Sequence, residues 1–265
     1  MRNCNLIRVL ILVFMTIGLQ IQTSFALEPN DPRQSGPLDL VITYHVAPAN
    51  RTAFRQVIEN DVAPRFEKWR KDGVLHSYRL LFSRYADAQG WDLMTIMHFA
   101  QYSDLAKWHA IERTMPAGLT DKALALTREI DTAPCDLFQH GAADKGIEDR
   151  ESVFLLVPYD YLVSTNDYLR YADGYLQPQL YGWIDEGALS SFGLYLGRYA
   201  AGRVWSSLLV LEYHGDAGLG QRDAVVAKVR QRLSANESWK AFSSDKQNIR
   251  VEKQPVIADP ILPAK

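Results

Sequence analysis

The chain matches itself at an offset of 114 residues. Without a gap, Pro64, Trp69, Gly73, Leu75, Ser77, Leu80, Arg84, Tyr85, Ala86 and Trp91 fall on Pro178, Trp183, Gly187, Leu189, Ser191, Leu194, Arg198, Tyr199, Ala200 and Trp205. Two of these ten identities are tryptophan pairs. The period is too long for a solenoid repeat. It reads as one small domain present twice, which constrains the architecture far more than the activity.

The ends and the composition set the size of those units. Arg2 and Arg8, the apolar run Val9 to Ile21 and the small-x-small triplet Ser24-Phe25-Ala26 read as a secretory signal, residues 1–26. The run is shorter than the roughly 20 residues a membrane span needs. The expectation is cleavage before Leu27, export to a periplasmic or secreted location and no stable membrane insertion. What remains suits two domains of a little over 100 residues each, with a formal charge of −4 once Arg2 and Arg8 are gone. No basic stripe is present, so nucleic acid is not an expected partner. Cys4 leaves with the signal and Cys135 stands alone, so the fold must be held by its core rather than by an internal disulfide. Cys135 reads as a buried thiol, with an intermolecular bridge as the alternative.

Each unit reads as β-α-β-β-α-β, the ferredoxin-like order. In the first, residues 38–45 alternate as a half-buried strand. Phe54, Val57, Ile58, Val62, Phe66 and Trp69 then form one helical face, closed by Gly73. Residues 75–84 and 91–99 make a hairpin, 119–130 has helical spacing, and 135–138 reads as a final edge strand. In the second, 153–159, 166–185, 189–198, 204–214 and 223–233 repeat the order with a weaker tail, and 215–220 reads as a polar loop. Pro64 and Pro178 interrupt the same helix, which predicts a kink in both copies. Both strand faces carry apolar residues, so the two open sheet faces are expected to cover each other. The predicted units are 37–141 and 150–262.

The helix segments "APRFEKW" and "QPQLYGW", each followed by glycine and a hairpin, resemble the dimeric α+β barrel superfamily. Its antibiotic-biosynthesis monooxygenase-like, EthD-like and NIPSNAP-like members share this order of elements. The resemblance implies an α+β fold in which the two repeats pack sheet to sheet as a barrel within one chain. It carries no catalytic signature, because that superfamily spans cofactor-free oxygenases, isomerases, lyases and haem enzymes.

Chemistry-bearing residues are sparse. None of the six histidines pairs at zinc-motif spacing, and no cofactor or metal is expected. If Val41, Thr43 and His45 face the cavity, His45 could act as a base; its bland alternative is a hydrogen-bonded histidine at a strand end. Thr43, Ser77, Arg79, Thr95, Ser191, Tyr195 and Ser207 form the expected polar lining. Thr43, His45, Arg79 and His98 match Val157, Tyr159, Gly193 and Glu212 at the fixed offset. This asymmetry points to His45, Arg79 and Tyr195 as candidate contacts. The Arg-Tyr-Ala triplets shared by both copies read as hairpin-end packing and hydrogen bonding, with a pair of arginines at the barrel mouth gripping an anionic ligand as the alternative. Two functions stay open: a non-catalytic binding or scaffold module, acting as monomer or homodimer with a small-molecule ligand, or a monooxygenase- or isomerase-like enzyme using the cavity.

Overall fold

The computed structural model describes residues 38–143 and 151–263; the signal-like segment and most of the linker at 142–150 lie outside them. The first half runs β1 (Asp39–Val46), α1 (Arg51–Val57), a π-turn (Ile58–Val62), α2 (Ala63–Lys71), β2 (Ser77–Ser83) and β3 (Leu93–His98). It ends with α3 (Asp104–Glu112), α4 (Asp121–Leu124) and β4 (Thr127–Ala142). The second half runs β5 (Val153–Tyr161), α5 (Thr165–Tyr171), a π-turn (Ala172–Leu176), α6 (Gln177–Asp185), β6 (Leu189–Gly197) and β7 (Ser207–Tyr213). Then follow α7 (Gly215–Gly220), α8 (Arg222–Leu233), α9 (Glu237–Ile249), β8 (Arg250–Glu252) and β9 (Val256–Pro260).

The strands lie in the order β7-β6-β4-β1-β3-β2-β9-β5, and β5 returns to β7. Eight antiparallel strands therefore close into a barrel, with β8 attached to the outer edge of β5. The halves join edge to edge through hydrogen bonds rather than as two separate stacked sheets. β4 pairs first with β1 and then crosses to β6. β9 does the same between β5 and β2. The helical spacing at 119–130 gives way to strand from Thr127, and 135–138 lies inside the long β4 rather than at an edge. Pairing with β1 from Thr127 onward outweighs the local helical pattern there. The stretch 215–220 is a short helix, α7, and the weak tail contains the 13-residue α9.

Pro64 and Pro178 are accommodated without a broken helix. Ala63 N–H reaches back five residues to Ile58 O, and Gln177 N–H reaches Ala172 O. Each proline then sits at the start of the following helix, where its missing donor leaves no bond unmade. The cost of an interior proline, about 3 kcal/mol, is avoided. The expected kink is thus a π-turn, and it recurs at an offset of 114 residues.

Three cores result. Phe54, Ile58, Val62 and Phe66 pack on Ile42, Tyr44, Leu80 and Phe82 outside the first half of the sheet. Tyr168, Tyr175, Leu180 and Trp183 pack on Tyr159, Leu194, Leu209 and Leu211 outside the second. The barrel interior is a third core: Val41, Leu81, Trp91, Met94, Phe154, Tyr195, Trp205, Leu208 and others fill it. An eight-stranded barrel is just wide enough for its own side chains to do this.

Candidate functional site

The barrel is closed unevenly. Seven residue pairs join β4 to β6, but only three join β2 to β9, from Leu81↔Pro260 to Ser83↔Ala258. The first turns of β2 therefore lack a strand neighbour on that side, and a cavity of about 360 Å³ opens there. Arg79, Leu81, Phe154 and Glu212 line it from the barrel, and Tyr78 and Ile261 from outside.

Glu212 is the hub of this mouth. Its carboxylate accepts from Ser152 Oγ at 2.7 Å, Ser191 Oγ at 2.5 Å and Arg79 Nη2 at 3.3 Å. The Arg79 guanidinium also lies 5.3 Å from the Phe154 ring centre. Arg79 is 42% exposed, so this ion pair contributes no more than about 1 kcal/mol to stability. Its guanidinium remains open to solvent and to a guest.

A second pair faces the same end of the barrel. His98 Nδ1 stands 3.1 Å from Asp39 Oδ1, directly across the β1–β3 rung. The Asp39 hydrogen bond raises the His98 pKa above the ordinary histidine range, and partial burial opposes it. Burial pushes the Tyr195 hydroxyl pKa well up, and its charged neighbours are Asp39 and Arg79.

The three candidates therefore separate. Arg79 lines the mouth; Tyr195 lies within electrostatic reach of it, packed inside the barrel. His45 does not join them. Arg79 is level with Val41 through Ile96, so His45 is four residues further along β1, about 13 Å. There its Nδ1 meets the Gly90 carbonyl at 3.1 Å.

Two members of the expected lining face the other way. Thr95 lies opposite Ile42 and Leu80, which belong to the helix-side core. Ser207 meets the Tyr168 hydroxyl at 2.8 Å on the helix side of the second half. The fixed offset also slips by one residue in the first strand. Asp39 faces His98 as Phe154 faces Glu212, so Tyr44 corresponds to Tyr159, Thr43 to Pro158 and His45 to Asp160. A one-residue slip exchanges the two faces of a strand. The mismatches Arg79/Gly193 and His98/Glu212 remain. Asp39 and Glu212 are site residues that sequence reasoning does not pick out; each is the lone carboxylate of its mainly apolar strand, which is a readable signal.

Of the shared triplets, the arginines bind carboxylates across the two seams, while Tyr85 and Tyr199 project into solvent instead of packing. Cys135 is fully buried in the interior core, and burial pushes its thiol pKa up. Among the described residues no three His, Cys, Asp or Glu side chains are grouped to hold a metal ion. No described helix is long and apolar enough to cross a membrane.

No family model and no curated protein sequence matches the chain. Solved structures do. A candidate monooxygenase from Fusobacterium nucleatum aligns with a TM-score of 0.54 at 14% identity, over 86% of this chain and 93% of its own. An anthrone oxidase-like protein aligns at 0.53 and 10% identity, over 87% and 93%. A candidate monooxygenase from Lactobacillus acidophilus aligns at 0.51 and 9% identity, over 85% and 93%. At these identities the likeness concerns the fold, and that fold is the one found in dimeric α+β barrel proteins.

Proposed function

We propose that the chain is an exported small-molecule-binding protein, made by duplication of one ferredoxin-like unit into domains at 37–141 and 150–262. Its ligand enters at the short β2–β9 seam. The observation that carries this reading is the contrast between a barrel filled by its own side chains and a mouth held open beside Arg79 and Glu212. The filled interior leaves no room for a substrate at the centre. The mouth offers the half-buried Tyr78 ring beside a guanidinium and a carboxylate that already offset each other. Such a site suits an uncharged or weakly polar aromatic guest. The test is a thermal-shift screen of aromatic compounds against wild type and Arg79→Ala. Hits that stabilise both proteins equally would place the ligand elsewhere.

A second reading is an enzyme, monooxygenase- or isomerase-like, at the same mouth. The Asp39–His98 pair favours it, since a carboxylate-oriented histidine can move a proton near neutral pH. The names of the similar structures also support it. Oxygen uptake with an anthrone, abolished in His98→Ala, would decide for this reading. Export is tested separately by mass spectrometry of the exported protein, with Leu27 expected as the first residue. Monomer or homodimer is tested by light scattering.

A further inference from the structure

The second half holds a small, partly enclosed cavity with a lining unlike that of the mouth. It has a volume of about 50 Å³ and lies between α6 and α8 and the helix-facing side of β5 and β7. Its charged lining is three arginines, Arg222, Arg230 and Arg250, against one carboxylate, Glu252. Trp183 also lines it and is only 6% exposed.

The hydrogen-bond inventory around it is unbalanced in one direction. Trp183 Nε1, Arg222 Nε and Arg250 Nη1 are all buried without an acceptor. Each of these groups can only donate. Arg250 is held by ring faces, 3.8 Å from the Tyr159 centre and 5.4 Å from the Tyr171 centre. Those faces attract the cation, and the Tyr159 and Tyr168 hydroxyls also reach the guanidinium, but Nη1 is left without an acceptor. Arg230 Nε is already used by Gln179 Oε1 at 2.8 Å, and Arg222 Nη1 by the exposed Asp223 at 2.9 Å. Arg230 is exposed and the Arg222 side chain is 35% exposed, so Arg250 is the buried cation of the three. Water could satisfy single donors, but one anionic group could accept from several of them and oppose the Arg250 charge as well.

The first half resolves the same packing with carbon. Trp108 stands 114 positions before Arg222, with ring centres 5.6 Å from Trp69 and 6.2 Å from Phe66. The arginine lining is therefore particular to the second half.

We propose that this cavity binds one oxyanion group, a carboxylate or a phosphate, between Arg250, Arg222 and Trp183. A water needs about 10–15 Å³ of such space, so the cavity suits a group of four or five heavy atoms and not a larger body.

The test uses the full-length mature chain in sodium phosphate, sodium acetate and sodium chloride at matched ionic strength and pH 7. Melting temperature and tryptophan fluorescence are the readouts. Phosphate or acetate is expected to stabilise beyond chloride, and the stronger of the two identifies the headgroup. Arg250→Met should weaken that anion's binding about tenfold or more, as loss of a charge-assisted hydrogen bond does. Trp183→Phe should weaken it less, and Arg79→Ala should leave it unchanged. Should Arg250→Met not fold, Trp183→Phe combined with Arg222→Gln carries the same comparison. Equal response to all three salts, or an unchanged response in the arginine variants, overturns the proposal. Loss of the response in Arg79→Ala would overturn it too, by moving the anion to the mouth.

Discussion

Arg198 Nε donates to Asp136 Oδ2 at 2.7 Å where β4 crosses from one half of the barrel to the other. The other seam has the same device: Arg84 Nη2 stands 2.7 Å from Asp259 Oδ1 on β9. Each hairpin arginine thus binds an aspartate on the strand supplied by the opposite half. Their backbones join as well, with Arg84 N–H donating to Ile257 O and Arg198 N–H to Pro134 O. This is why Arg-Tyr-Ala occurs in both copies although the tyrosines touch little.

The two seam pairs differ in burial, which sets the first prediction. Arg198 and Asp136 are 15% and 6% exposed at their side chains, and Arg84 and Asp259 are 24% and 31%. Removing one partner of a nearly buried pair strands the other charge. Arg198→Ala should cost about 3 kcal/mol and Arg84→Ala about 1–2 kcal/mol in urea unfolding. Equal losses would show that burial does not control these pairs.

A pH dependence follows from Asp39 and His98. The pair raises the folded-state pKa of His98 above its unfolded value, so the protonated histidine is the stabilised form. The contribution is complete below the unfolded value, about pH 6.5, and is lost as pH rises through the folded value. Unfolding midpoints should fall between pH 6 and 8 in wild type. His98→Gln should flatten that fall. A slope unchanged by the substitution would assign the pH dependence to other groups.

Arg79 and His45 test how far the polar asymmetry reports function. Arg79 is 42% exposed and paired at 3.3 Å, and His45 makes one hydrogen bond to a carbonyl. Either alanine variant should lose no more than about 1–1.5 kcal/mol. Only Arg79→Ala should weaken ligand binding at the mouth, because His45 lies toward the far end of β1. A ligand weakened equally by both variants would contradict that separation.

Much of the fold was legible because helix faces and paired strands repeat at one offset. The Trp69/Trp183 and Gly73/Gly187 matches locate the same helix end twice, and both glycines have positive φ as a helix terminus favours. The limits lay where pairing beyond the unit takes over. Thr127 to Ile130 has helical spacing but is strand, because it pairs with the distant β1. The one-residue slip between β1 and β5 was invisible, since Tyr44 and Tyr159 are not aligned by a gapless shift. That slip misplaced the partners of Thr43 and His45, while Arg79, on β2, kept its true counterpart, Gly193. The hub residue Glu212 gathers partners from β2, β6 and the residue before β5, and no local pattern encodes such a convergence.

The final prediction separates two glycines that look alike in their backbone. Gly73 and Gly118 have φ of +68° and +72°. A Cβ added at Gly73 would meet nothing within 4 Å, so Gly73→Ala carries only the left-handed penalty, about 1 kcal/mol. At Gly118 the same atom would stand 2.9 Å from Phe66 Cζ and 3.0 Å from Trp108 Cη2. Both rings are packed in the first core and cannot swing aside without opening it. The preceding residue, Ala117, is also left-handed at φ +53°, and its carbonyl accepts from the buried Tyr44 hydroxyl at 2.6 Å. The turn therefore has no slack on either side. Gly118→Ala should add overpacking to the backbone penalty and cost about 2–4 kcal/mol. At this chain length that lowers the melting temperature by roughly 2–4 °C per kcal/mol, a gap from Gly73→Ala that calorimetry resolves. Equal melting temperatures for the two variants would mean that the Phe66–Trp108 packing yields to a methyl group.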